Sequence, residues 1–314
     1  MKYAIIIVIL ISLLILSCSD FTSKPRFEGD VFSIAGLLIA GRFVDLEKPV
    51  YVTRSSSIED FDPMELFVFD ATVTIREIDP ISGDTLRVFA LTPAFHEFKI
   101  KYIDPAENLI LPEMKYRIEV TVPGYDKTIW AETTVPKQVE PVPDFFGHNV
   151  PGEGFSFDPD ANSTLTYTTI DARYPLALNT GNEGGAYNFM SEMYCLEPFS
   201  TDLEFTTPVF GITNPDESFE DVYNSSGEGP RRIFILGRFT SRPQPDLPGN
   251  YLLVRDYAQT FVFYGRYRVS LYIVDDNYYN YSFKPEGYLY GGVRNALGYF
   301  GSASGGVMYA TIVK

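Results

Sequence analysis

The run Phe67-Val68-Phe69-Asp70-Ala71-Thr72-Val73-Thr74-Ile75-Arg76 decides the fold class. Successive side chains of a strand point to opposite faces, which puts Phe67, Phe69, Ala71, Val73 and Ile75 on one side. Val68, Asp70, Thr72, Thr74 and Arg76 fall on the other, so the pattern predicts a strand with one buried face. Asp79-Pro80-Ile81-Ser82-Gly83-Asp84 supplies turn chemistry, and Thr85 to Leu91 returns as the second strand of a hairpin. Tyr116, Ile118, Val120 and Val122 alternate in the same way with Arg117, Glu119 and Thr121. Pro123-Gly124-Tyr125-Asp126 then turns the chain into a strand over Lys127 to Val135. With Val31 to Arg42 and Pro49 to Arg54 upstream, the short strands over residues 30–136 predict a β-sandwich.

The rest of the chain supports the same class. Its 22 Tyr and 25 Phe against one Trp suit strands, and its prolines and glycines are spread as punctuation between short runs. No stretch holds a helical period over three turns, so the whole protein is expected to be all-β. Prolines at 136, 141, 143 and 151 mark a stiff connection over 137–151. A second β-rich domain is expected over 152–314. Its strand candidates are Thr164 to Ala172, Ala186 to Leu196, Arg231 to Thr240, Thr260 to Val274 and Gly306 to Val313. The polar passages Pro198 to Pro230 and Ser241 to Asn250 read as loops, and Asp275 to Phe283 as a short helix with its aspartates in the first turn.

The N-terminus predicts an address. Lys2, the apolar run Ala4 to Leu16 and Ser17-Cys18 follow one another as a secretory signal ending in a lipobox, with 1–17 removed and Cys18 lipidated. The apolar run is shorter than the roughly 20 residues that span a bilayer. Residues 18–29 read as a tether. The second cysteine, Cys195, is then left without a partner.

Charge and residue counts narrow the chemistry. A net charge of −16, with only Lys2 contributed by the signal, makes nucleic acid a poor partner, since phosphate binding draws on clustered Lys and Arg. The acyl chain is left to attach the protein to the membrane. Only His96 and His148 are present, which argues against histidine metal sites and most serine triads. Asp158-Pro159-Asp160-Ala161-Asn162 spaces oxygens as a calcium loop does, but Ser163 and Thr169 stand where that loop needs Gly and Glu. It reads as a turn closed by Asx hydrogen bonds. Cys195 reads as a small buried hydrophobe, and Glu217, Glu220 and Asp221 as a solvated acidic loop. The glycines from Gly291 to Gly306 lack the Lys-Ser/Thr of a phosphate cradle and read as turns or bulges before a last strand. No catalytic residue, metal or cofactor is expected. Tyr278, Tyr279, Tyr281, Tyr288 and Tyr290 are the candidate ligand-binding residues, because aromatic rings stack on sugars and peptides; the alternative is that they pack on sheet faces.

Asp70 to Ile75, followed by a turn and by Tyr116 to Tyr125, resembles the transthyretin-like or carboxypeptidase-regulatory-like sandwich, a module that supports or binds. The whole chain, lipobox included, resembles outer-membrane lipoproteins of the domain of unknown function 4249 type. The likeness also rests on Asp275-Asp276-Asn277-Tyr278-Tyr279-Asn280-Tyr281 and on Gly291 to Gly301, where Ala296 departs from the expected glycine. The resemblance implies a non-enzymatic lipoprotein anchored in the outer membrane and accessory to a TonB-dependent transporter. An autonomous glycan- or peptide-binding lipoprotein and a hydrolase are the alternatives.

Overall fold

The computed structural model describes residues 31–56, 64–198, 203–206 and 231–314, and for 231–236 the backbone alone. Cys18, the tether, and the acidic residues Glu217, Glu220 and Asp221 lie outside them. The regular structure among the described residues is mostly strand: β1 (Phe32–Ile39), β2 (Tyr51–Arg54), β3 (Thr72–Ile78), β4 (Thr85–His96), β5 (Lys99–Ile103), β6 (Lys115–Thr121), β7 (Ile129–Thr134), β8 (Glu140–Pro141), β9 (Thr164–Thr166), β10 (Leu176–Asn179), β11 (Gly185–Cys195), β12 (Arg231–Gln244), β13 (Leu247–Val254), β14 (Gly265–Val274) and β15 (Leu297–Val313). Among the described residues two α-helices interrupt them, α1 (Ile170–Arg173) and α2 (Asp276–Phe283).

Five strands form one sheet in the order β5-β4-β3-β6-β7, and the other ten form a second. The hairpin β3–β4 and the alternation of β6 behave as the sequence predicts: Val73, Ile75, Ile118 and Val120 are buried, and Thr72 and Thr121 face outward. Phe67 and Phe69 do not join that face. Val68 is buried while Phe69 is 67 % exposed. The reason is that the Val68 N–H bonds to the Val52 carbonyl, so this stretch takes its phase from β2 before the chain crosses to the other sheet.

The large sheet runs β2-β1-β15-β14-β11-β12-β13-β10-β8, with β9 beside β15. Strands β1 and β2 therefore belong to the sheet whose other members come from residues beyond 136. β1 pairs in parallel with β15, Ile34 opposite Gly298 and Ile39 opposite Ala303. That approach needs glycine at 298, where φ is +99° and a Cβ would stand 2.0 Å from the Ile34 carbonyl oxygen. The last strand thus begins at Leu297 and not at Gly306, and Gly298, Gly301, Gly305 and Gly306 lie inside it, where close packing against neighbouring chain replaces the expected turns or bulges.

Strand β15 carries two cores on one face. Phe300 packs with Ile34, Val50, Val52, Val73, Ile75 and Ile118 between the sheets. Eight residues on, Met308, Ala310 and Ile312 enter a second cluster with Phe189, Leu176, Leu252, Val269 and Leu271. The sheet curls around that second cluster: a Cβ on Gly306 of β15 would meet Pro141 of β8, the far end of the strand order, at 2.9 Å. On the opposite face, α2 covers Leu37, Ile39, Met190, Tyr272 and Val274.

Several local expectations change. The stretch 137–151 is part of the fold, since Val139 is buried in the second core and Glu140–Pro141 pairs with Leu178 and Asn179. Residues 241–250 extend β12 and open β13, which pair with each other, and β13 goes on to pair with β10 over Tyr251 to Val254. Thr164 to Ala172 divides into β9 and α1, and β10 replaces an expected connection. These short strands lack a period of their own and are held by neighbours distant in sequence.

Candidate functional site

The five tyrosines do not converge on one surface. Tyr278 is 6 % exposed and belongs to the core beneath α2. Its ring meets Tyr299 edge-on at 5.2 Å, and Tyr281 meets the same ring at 4.5 Å. Tyr279 stacks on Phe283 at 4.7 Å. Tyr288 and Tyr290 are about half exposed on the turn after α2, with Lys284 lying 4.7 Å from the Tyr290 ring centre.

A different region gathers more chemistry. Alternation on β14 sends Tyr267, Val269, Leu271 and Ile273 into the second core, so Arg268 and Tyr272 face the other way. Glu192 and Tyr194 lie beside them across the β11–β14 ladder, opposite Ser270 and Arg268. The loop between β1 and β2 folds over this surface. Lys48 Nζ donates to both Glu192 carboxylate oxygens, at 2.6 and 2.8 Å, with both side chains more than nine-tenths enclosed. Arg42 binds Asp45 and Glu47 at 2.7 and 2.8 Å. Arg268 also pairs with Glu47 and sits 4.8 Å from the centre of the Tyr194 ring. Burial by itself would raise the Glu47 carboxyl, but Arg42 and Arg268 overcome it and hold the group below the usual carboxylate range.

The β4–β5 hairpin closes the other wall. Glu97 and Phe98, both with positive φ, form its two-residue tip. Lys101 Nζ reaches back to the Leu46 carbonyl at 3.1 Å and to Glu97 at 3.0 Å. Between these walls lies a cleft of about 360 Å³, with Tyr51, Tyr194, His96, Lys99, Lys101 and Arg268 among its lining residues. A smaller cavity of about 60 Å³ shares Glu47 and Tyr51 with it and reaches inward to Tyr278 and Tyr299. Of the expected ligand-binding residues, only Tyr278 touches this system. In the sequence a lone Glu192 or Arg268 in an apolar strand reads as an outward residue, with nothing nearby to mark its partner. The partner of Glu192 is 144 residues away.

A second polar cleft, of about 460 Å³, is lined by Lys115, Glu132, Asp276, Asn277 and the carboxyl of Asp275. Asp275 caps α2 by accepting from the Tyr278 N–H at 3.0 Å. Its Oδ2 lies 2.6 Å from Thr133 Oγ1, Thr133 Oγ1 lies 2.6 Å from Ser302 Oγ, and Ser302 donates to the Thr134 carbonyl at 3.0 Å. With Asp275 ionised, two hydroxyl hydrogens must serve three contacts; with it protonated, all three are served. Burial pushes the group up to about 6, against the lowering by Thr133 and the backbone N–H groups. A raised folded-state value means that stability is full at low pH and falls as pH rises between about 4 and 6, by about 3 kcal/mol at most. Asp275→Asn, neutral at every pH and able to donate to Thr133, is expected to flatten that fall and to melt above the parent at pH 8. Equal melting shifts at pH 4 and pH 8 would count against this account.

The remaining candidates are structural. Cys195 is 2 % exposed in the second core, and burial raises its thiol. His148 lies 3.1 Å from the Arg173 carbonyl, and His96 contacts Lys101. In the aspartate turn, the Asp160 N–H bonds to Asp158 Oδ1 at 2.9 Å, an Asx turn. Among the described residues, no three His, Cys, Asp or Glu side chains gather as a metal site would need, and no helix is long and apolar enough to cross a membrane. A comparison with curated proteins finds no match. Residues 44–306, from the loop over the charged surface to the middle of β15, match the family described as "Domain of unknown function (DUF4249)", and the chain belongs to that family.

Proposed function

We propose that this protein is a non-enzymatic lipoprotein of the bacterial cell envelope, anchored at the outer membrane through Cys18 and accessory to a TonB-dependent transporter. The observation that carries the proposal is the ordered N-terminus: one basic residue, an apolar run too short to span, then Ser17-Cys18. A protein held in the membrane plane meets a membrane partner at raised effective concentration, so a weak interface suffices. Its net charge of −16 leaves attachment to the acyl anchor and away from anionic headgroups. The chain is expected to incorporate a clickable fatty acid at Cys18 and to sediment with membranes. Cys18→Ala is expected to lose both; a variant that still labels ends the anchor reading. Capture from mild detergent is expected to recover a large β-barrel receptor.

The second reading is an autonomous glycan- or peptide-binding lipoprotein. The tyrosine-walled cleft at Tyr51 and Tyr194 supports it, as do the exposed Tyr288, Leu289 and Tyr290. Failure to recover any barrel, together with glycan-array binding by a form lacking the anchor, decides for this reading.

A further inference from the structure

The carboxylates facing the cleft between the β1–β2 loop and the β4–β5 hairpin are already engaged. Glu47 is held by Arg42 and Arg268, and Glu97 by Lys101. The cleft therefore has little to offer a cation. Arg268 is the opposite case. Its guanidinium is oriented by Glu47 on one side and the Tyr194 ring on the other, and its only ion-pair partner among the described residues is Glu47. Its Nη2 pairs with Glu47 and its Nε–H is enclosed with no acceptor, so a carboxylate in the cleft would be met by the remaining Nη–H groups. A planar guanidinium fixed in this way matches a carboxylate, which can accept from two of its N–H groups at once. The walls next to it are tyrosines, Tyr51 and Tyr194, and the volume of about 360 Å³ is that of a small-ligand pocket.

We propose that this cleft binds a small carboxylate, a sugar acid or the free C-terminus of a short peptide, with the Arg268 guanidinium as its anchor and a tyrosine wall against its ring or side chain. The site depends on neither the lipid anchor nor a transporter. In a chain of net charge −16 it supplies the local positive charge that lets an acid approach.

The test is calorimetric titration of the full chain in mild detergent with galacturonate and with Ala-Ala-Phe. Each is run beside its neutral counterpart, galacturonate methyl ester and Ala-Ala-Phe amide. One acid is expected to bind at least roughly tenfold more tightly than its neutral counterpart, because a hydrogen bond to a charged group is at stake. Binding of galacturonate assigns the sugar acid, and binding of the peptide alone assigns the C-terminus. Arg268→Lys keeps the charge but loses the fork and is expected to lose that preference. Lys127→Gln, which removes an exposed cation elsewhere, is expected to bind as the parent does. The proposal is overturned if neither acid binds, if acid and neutral forms bind alike, or if a folded Arg268→Lys chain binds like the parent. The comparison of acid with neutral form on the unaltered chain decides the matter even where the variant does not fold.

Discussion

Lys48→Met is expected to destabilise the protein by about 3–5 kcal/mol, because it leaves the Glu192 carboxylate enclosed without its counter-charge. Glu192 is 3 % exposed, and Lys48 supplies both of its short contacts. Neither ion gains much from water, so the cost of removing one partner is the uncompensated charge of the other. Replacing both, Lys48→Met with Glu192→Leu, removes the charge pair together and is expected to return most of the loss. Denaturant midpoints of the parent, both single variants and the double variant give the coupling directly. Additive losses in the double variant would mean that the pair is not energetically closed.

Phe300→Ala is the second large effect, expected to cost about 3–5 kcal/mol as a fully buried ring is lost from a packed core. Phe300 is 0 % exposed and lies between the two sheets, whereas Met308, Ala310 and Ile312 of the same strand lie in the other core. A strand shared in this way couples the cores. The substitution is therefore expected to lower one common melting transition, with amide exchange accelerating in β6 and in β11 alike. Exchange that rises in β3 and β6 but not in β11 and β14 would show that the two cores unfold separately.

Strand and turn character were readable in the sequence because both depend on near neighbours. The alternation from Ala71 to Ile75 and from Tyr116 to Val120, the Asp79 to Asp84 turn and the Asp275 cap of α2 all act within a few residues, through pleating or local hydrogen bonds. The stretch from Lys2 to Cys18, on which the proposed lipid anchor rests, is local in the same sense. The tertiary structure alone decided which sheet each strand enters. Nothing near Phe32 announces that β1 pairs in parallel with a strand beginning at Leu297, since that register is chosen by the fit of Gly298 against the Ile34 carbonyl. Nothing near Phe67 announces that the chain takes its phase from Val52 before it changes sheets. The cleft has the same origin. Glu47, Lys101 and Arg268 are ordinary charges in sequence and come to line one cleft only when folding brings the β1–β2 loop, the β4–β5 hairpin and β14 together, and the energy of each charge is set by what surrounds it after water has been removed.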